Sequence, residues 1–166
     1  MTDLTDRAVA ARVPSIADRK IRVLARRDPV VAPPGTSLIE CLRAIQRSGV
    51  GDSVLVIDGD GRLLGVLTER DIFGRLVDTG VDLSLPVETF MTKDPRRLSL
   101  DSTVRDAITL MSTGRYRNVP LLDDDGRVVG IIRQQDILRY LAEAFPEELL
   151  NLPPRPHQRM KEPEGA

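Results

Sequence analysis

The sequence has one cysteine, one histidine and no tryptophan, and aromatic residues make up 3% of it. Each scarcity removes a class of function. With Cys41 alone there is no internal disulfide framework and no thiol cluster for a metal. Cys41 falls among the apolar positions of a predicted helix, which marks it as a small buried hydrophobe rather than a nucleophile. The lone His157 lies in a proline-rich tail, which argues against a Ser–His–Asp or Cys–His triad and against a histidine-built metal site. So few aromatics argue against a base-stacking surface for single-stranded nucleic acid. No apolar run approaches the roughly 20 residues that span a bilayer. The N-terminal MTDLTDRAVAARVPS lacks the apolar core of a signal peptide, so a cytoplasmic, soluble chain without a membrane partner is expected. An excess of one charge is missing too. The 24 Lys+Arg and 25 Asp+Glu are interspersed and leave a net charge of −1, which points to no nucleic-acid partner.

What is present is a globular composition, 41% hydrophobic over 166 residues, and an internal repeat. The repeat emerges when the chain is displaced by 65 residues, the separation of Gly65 from Gly130. Ser37 then lies over Ser102, Gly49 over Gly114, the turn Asp58–Gly61 over Asp123–Gly126, and Asp71-Ile72 over Asp136-Ile137, in a register without gaps. Two copies are too few for a solenoid, so a closed pseudo-twofold pair is expected.

Each copy reads as strand, helix, strand, strand, helix, an α/β (α+β) unit too small to bury both faces of its own sheet. The first copy opens with an extended piece at Val30–Ala32. A helix follows, with Ser37 and Glu40 spaced as a capping box, an apolar face of Leu38, Cys41, Leu42 and Ile45, and Gly49 as its stop. Strands at Ser53–Ile57 and Leu63–Leu67 flank the hairpin turn and lead into a helix from about Glu69 to Asp78. The second copy places a helix on Val104, Ala107, Ile108 and Met111, strands at Asn118–Leu122 and Val128–Ile132, and a helix from about Gln134 to Ala144. The expected division is an N-terminal extension over residues 1–27, repeats over 28–80 and 81–145, and a proline-rich tail over 146–166.

The informative segment is Gly65-Val66-Leu67-Thr68-Glu69-Arg70-Asp71, a strand end entering a helix. A helix N-terminus favours an anion, a Thr hydroxyl can bind phosphate, and an Asp one turn on can accept from both hydroxyls of a ribose. Thr68-x-x-Asp71 is equally a capping box that needs no ligand. In the second copy Arg133 stands at the Thr position while Asp136 is kept, which shifts the balance towards a site.

The repeat resembles a pair of cystathionine-β-synthase (CBS) domains, a Bateman module, over about Asp28–Glu143. The features that carry the resemblance are the element order, Asn118-Val119-Pro120-Leu121-Leu122-Asp123 before the hairpin, and the Gly-to-Asp signature at Gly65–Asp71. It implies a regulatory module without catalytic residues or a required cofactor, whose clefts hold AMP, ADP, ATP, S-adenosylmethionine or a related adenosyl compound. By position, Asp71 and Asp136 would take ribose hydroxyls, and Thr68 would take phosphate with Arg70. Asp52, Ser53, Val54, Arg117, Asn118 and Val119 would line the pockets, and Tyr116 would pack near a base or in the core. Arg133 departs from the pattern and leaves its cleft altered or empty, unless its guanidinium pairs with phosphate. The resemblance further implies a homodimer through Ile72, Phe73, Leu76, Ile137, Leu138 and Leu141, or an intramolecular core built from them. Output would run through that oligomer or an unidentified protein partner, the alternative being a scaffold that binds no ligand.

Two further patterns are set aside. The Asp-rich turns lack the Gly that a calcium loop needs at its sixth position, which is Leu63 or Val128 here. Arg115 and Arg117 around Tyr116 are too short a cluster for an RNA surface and read as a solvated edge or part of the cleft.

Overall fold

The computed structural model describes residues 16–24, 26–49, 53–76 and 80–144. Asp52, the tail with His157 and most of the N-terminal extension lie outside them.

The described residues form two sheets and four α-helices. The first half contains β1 (Val31–Ala32), α1 (Leu38–Ser48), β2 (Ser53–Ile57), β3 (Leu63–Thr68) and α2 (Glu69–Leu76). Two short strands follow, β4 (Thr92–Lys93) and β5 (Leu98–Ser99). The second half continues with α3 (Val104–Gly114), β6 (Asn118–Leu122), β7 (Val128–Arg133) and α4 (Gln134–Ala144). The sheet orders are β1-β2-β3-β4 and β5-β6-β7. In each, the leading strand pairs in parallel with the first hairpin strand, and the hairpin pair is antiparallel. Both hairpins bulge at the same place, Val56/Ile57 and Leu121/Leu122. In the turns, Asp58 Oδ1 accepts from the N–H of Asp60 and Arg62, and Asp123 Oδ1 from the N–H of Asp125 and Arg127. These carboxylates hold hairpins, as their spacing indicates.

The helix ends correct the register. Helix α1 is capped by Ser37 with Glu40, and α3 by Thr103 with Asp106, so the caps are one residue further apart than the hairpins. The helix stops agree. Gly49 is left-handed with φ 66°, and its counterpart is Arg115 with φ 54°, not Gly114. The alignment therefore carries a gap: the loop from Gly49 to Ser53 is one residue longer than that from Arg115 to Asn118.

Two cores form, and each borrows from the far side of the chain. The first packs Leu38, Cys41 and Ile45 against Val54, Val56, Leu67 and Ile72, and takes in Val87, Phe90 and Met91 from the stretch that the expected division assigns to the start of the second repeat. The second packs Val104, Ala107 and Met111 against Val119, Leu121, Ile132 and Ile137, and takes in Ile21 and Leu24 from the segment expected to lie outside both repeats. The exchange is reciprocal: Lys20 bridges Thr103 as Pro86 bridges Ser37, and Arg27 bridges Ile131 as Thr92 pairs with Val66. A Cβ on Gly65 would come within 2.5 Å of Met91 Sδ, and one on Gly130 within 3.4 Å of Arg26 Cβ. Gly65 thus gives its crossing segment room, whereas the contact added at Gly130 would be an ordinary one.

Several side chains depart from expectation. Ile108 is exposed, because on α3 it lies a step around from the buried Val104, Ala107 and Met111. Ile72 and Ile137 are buried in their own cores, and Leu141 packs half-buried against the second, so none of the three is a free interface residue. Cys41 is fully buried, and burial pushes its thiol up to about 11, which keeps it protonated.

Candidate functional site

A cavity of about 400 Å³ opens between the two halves, beside the start of α2. Its apolar lining comes from both hairpins, with Leu55 and Val66 on one side and Pro120 and Ile131 on the other. The hairpins are tied by Asn118 Nδ2, which reaches Ser53 Oγ at 3.5 Å, and by the N–H of Val128 donating to Gly61 O.

Three segments supply the polar rim. The first is the β3–α2 junction, Thr68 to Asp71 with Phe73 beyond it. There the capping box is closed: the N–H and hydroxyl of Thr68 both donate to Asp71 Oδ2, at 2.9 and 2.7 Å, and the N–H of Asp71 donates back to Thr68 Oγ1 at 3.3 Å. The hydroxyl proton of Thr68 is therefore committed to Asp71. Only Oδ2 of the carboxylate belongs to the box, and Oδ1 keeps its own acceptor capacity.

The second segment, Gly114 to Asn118, comes from the other repeat. The left-handed Arg115 ends α3, with its N–H donating to Met111 O, and turns the chain towards the cavity. The ring of Tyr116 lies against the helix end, where a Cβ on Gly114 would overlap it. Tyr116 is 40% exposed, a rim residue rather than a core one. The third segment, Thr92, Pro95 and Arg96, follows from β4 and was not expected from the sequence. Its signal is weak, since two-residue strands carry no periodicity.

The rim is electropositive. Arg70, Arg96, Arg115 and Arg117 line it, against the carboxylates of Glu69 and Asp71. Guanidinium groups around an apolar floor can bind a multiply charged oxyanion attached to a flat apolar body.

Of the residues singled out in the sequence, Ser53, Thr68, Arg70, Asp71, Tyr116, Arg117 and Asn118 come together here. The side chains of Val54 and Val119 do not. Alternation along β2 and β6 turns them into the two cores, where they are 0% and 1% exposed. Asp136 is buried away from the cavity: Arg27 Nε donates to its Oδ1 at 3.0 Å and the N–H of Arg133 to its Oδ2 at 3.1 Å. Among the described residues no cluster of His, Cys, Asp and Glu could hold a metal ion, and no helix is long and apolar enough to cross a membrane.

The CBS domain family model matches residues 20–78 and 87–143. A CBS-domain-containing protein of Agrobacterium tumefaciens shares 34% identity and superposes with a TM-score of 0.61, over 69% of this chain and 89% of that one. The CBS domain pair of protein MJ0100, solved with 5′-methylthioadenosine and S-adenosyl-L-methionine, shares 26% identity, with a TM-score of 0.63 over 74% of this chain and 94% of that one. The cytosolic domain of the Mg2+ channel MgtE, solved with ATP, also shares 26% identity, with a TM-score of 0.64 over 74% of this chain and 48% of that one. This chain belongs to the CBS domain family and carries two copies of the domain in tandem.

Proposed function

We propose that the chain is a non-catalytic regulatory module that takes an adenine nucleotide in the cavity beside Asp71. The observation that carries this reading is the meeting of Asp71 with four arginines around an apolar floor. In the proposed pose Asp71 accepts from the ribose hydroxyls, with Thr68 as a positioning residue whose hydroxyl holds the carboxylate in place. Phosphate falls to Arg70, Arg96, Arg115 and Arg117, and the adenine lies on Leu55, Val66, Pro120 and Ile131 beside Tyr116. The complexes of related CBS pairs with adenosyl compounds and with ATP support the class of ligand. The positive rim favours phosphate-bearing ligands over S-adenosylmethionine, which carries a sulfonium cation and no phosphate.

A thermal-shift titration with AMP, ADP, ATP, NAD and S-adenosylmethionine tests this. Ligand at about 100 times its Kd stabilises the fold by roughly 2.7 kcal/mol. ATP and ADP are expected to shift the midpoint most, the shift to shrink with salt, and Asp71→Ala to abolish it. The second reading, a scaffold without ligand, draws on the closed Thr68–Asp71 capping box, which accounts for both residues by itself. The absence of any shift would establish it.

Output is proposed to run through a homodimer built on α2 and α4, or through a protein partner. Phe73 and Leu138 occupy matching places on these helices and are 64% and 60% exposed.

A further inference from the structure

Asp71 and Asp136 hold the same place in the two repeats, each the third residue of the helix that follows a hairpin. Their surroundings differ. Asp71 is half-buried and lines the cavity. The side chain of Asp136 is 1% exposed, and its Oδ1 is met by the guanidinium of Arg27, 109 residues away in the chain.

Arg27 is delivered there by a firmly held segment. Ile21 and Leu24 are buried in the second core, the N–H of Ile21 donates to Ser102 O, and the N–H of Ile131 donates to Arg27 O at 3.1 Å. The pairing also meets a local need, since a buried carboxylate is unfavourable without a partner. In hydrogen-bonding terms the guanidinium does at Asp136 what a ribose diol would do at Asp71, donating N–H where the sugar would donate O–H.

We infer that Arg27 is an internal occupant of the ribose-binding position of the second repeat. It is Arg27, rather than the replacement of a hydroxyl residue by Arg133, that limits the chain to one nucleotide. The inference rests on the ligand reading proposed for the first cleft. The residue that fills the position comes from the segment leading into β1.

Isothermal titration of the full chain with ATP tests it. The wild type is expected to bind one equivalent, and Asp136→Ala to leave that number at one. Arg27→Ala is expected to bind two. The added event should vanish in Arg27→Ala/Asp136→Ala and survive in Arg27→Ala/Asp71→Ala. Arg27→Gln, which keeps the stem of the side chain in place, serves if the alanine variant does not fold. A wild type that binds two equivalents and loses one with Asp136→Ala overturns the inference, as does a folded Arg27 variant that gains no Asp136-dependent event. Failure of the first-cleft reading looks different: the wild type binds nothing that depends on Asp71, whatever the Arg27 variants do.

Discussion

Gly114 shows how one residue can shape the site through its neighbour, Tyr116. Gly114 ends α3, and its missing Cβ is what lets the Tyr116 ring lie against the helix. Glycine-to-alanine substitution in a helix ordinarily stabilises by about 0.5–1 kcal/mol. Here the added methyl displaces the ring from the cavity rim. Gly114→Ala is therefore expected to keep the fold while weakening ATP binding several-fold, which a parallel denaturation curve and titration would separate. Unchanged affinity would remove Tyr116 from the binding surface. At this scale the sequence was informative where chemistry is local. Thr68, Asp71 and Arg70 were legible from one heptapeptide, because a strand–helix junction brings them together whatever the rest of the chain does. Arg96 and the burial of Asp136 under Arg27 were not, since both depend on which distant segment arrives beside them.

At the scale of elements, the helices announce themselves through their caps. Ser37 holds the Glu40 carboxyl below its ordinary value by hydrogen bonds from its hydroxyl and its N–H. The N–H and hydroxyl of Thr103 do the same for Asp106. Because these carboxylates ionise more readily in the folded chain than in the unfolded one, they stabilise it fully above their ordinary values of 4.5 and 3.8. That contribution is lost as pH falls through the lowered folded values. In urea unfolding, Glu40→Gln and Asp106→Asn should lie below the wild type at neutral pH and converge with it in acid. Parallel curves at every pH would refute this. The segment at Ile21–Leu24 makes the opposite point, for it has no periodic signature, yet it fills the second core. Ile21→Ala should cost about 2–5 kcal/mol in chemical denaturation, as for a fully buried isoleucine. A cost below about 1 kcal/mol, the range of surface changes, would mean that the segment is dispensable. Four helices and both hairpins could be read from apolar spacing and turn residues. The crossing segments could not, because their pairing partners lie on the opposite repeat.

For the whole molecule, Phe73 matters twice: it lines the cavity and it is exposed on α2. A ligand in the cavity and a second copy on α2 and α4 would then share a side chain, and any change that one makes in the affinity of the other is returned in equal measure. In sedimentation equilibrium the wild type is expected to dimerise and Phe73→Glu with Leu138→Glu to stay monomeric. Adding ATP should change the wild-type dimer constant. A wild type that is monomeric with and without ATP would exclude the dimer as the route of output.

The reciprocal exchange of arms has a consequence for folding and descent. Neither half is self-sufficient: the first core lacks Val87 and Met91 without the segment that leads into β4, and the second lacks Ile21 and Leu24 without the segment that leads into β1. The halves should therefore melt in one cooperative step rather than as independent beads. A gene encoding one repeat would satisfy the same contacts by trading arms with an identical chain. The tandem arrangement is the covalent counterpart of such a swapped homodimer, and within one chain the two equivalent aspartates can have different surroundings, a cavity at Asp71 and Arg27 at Asp136.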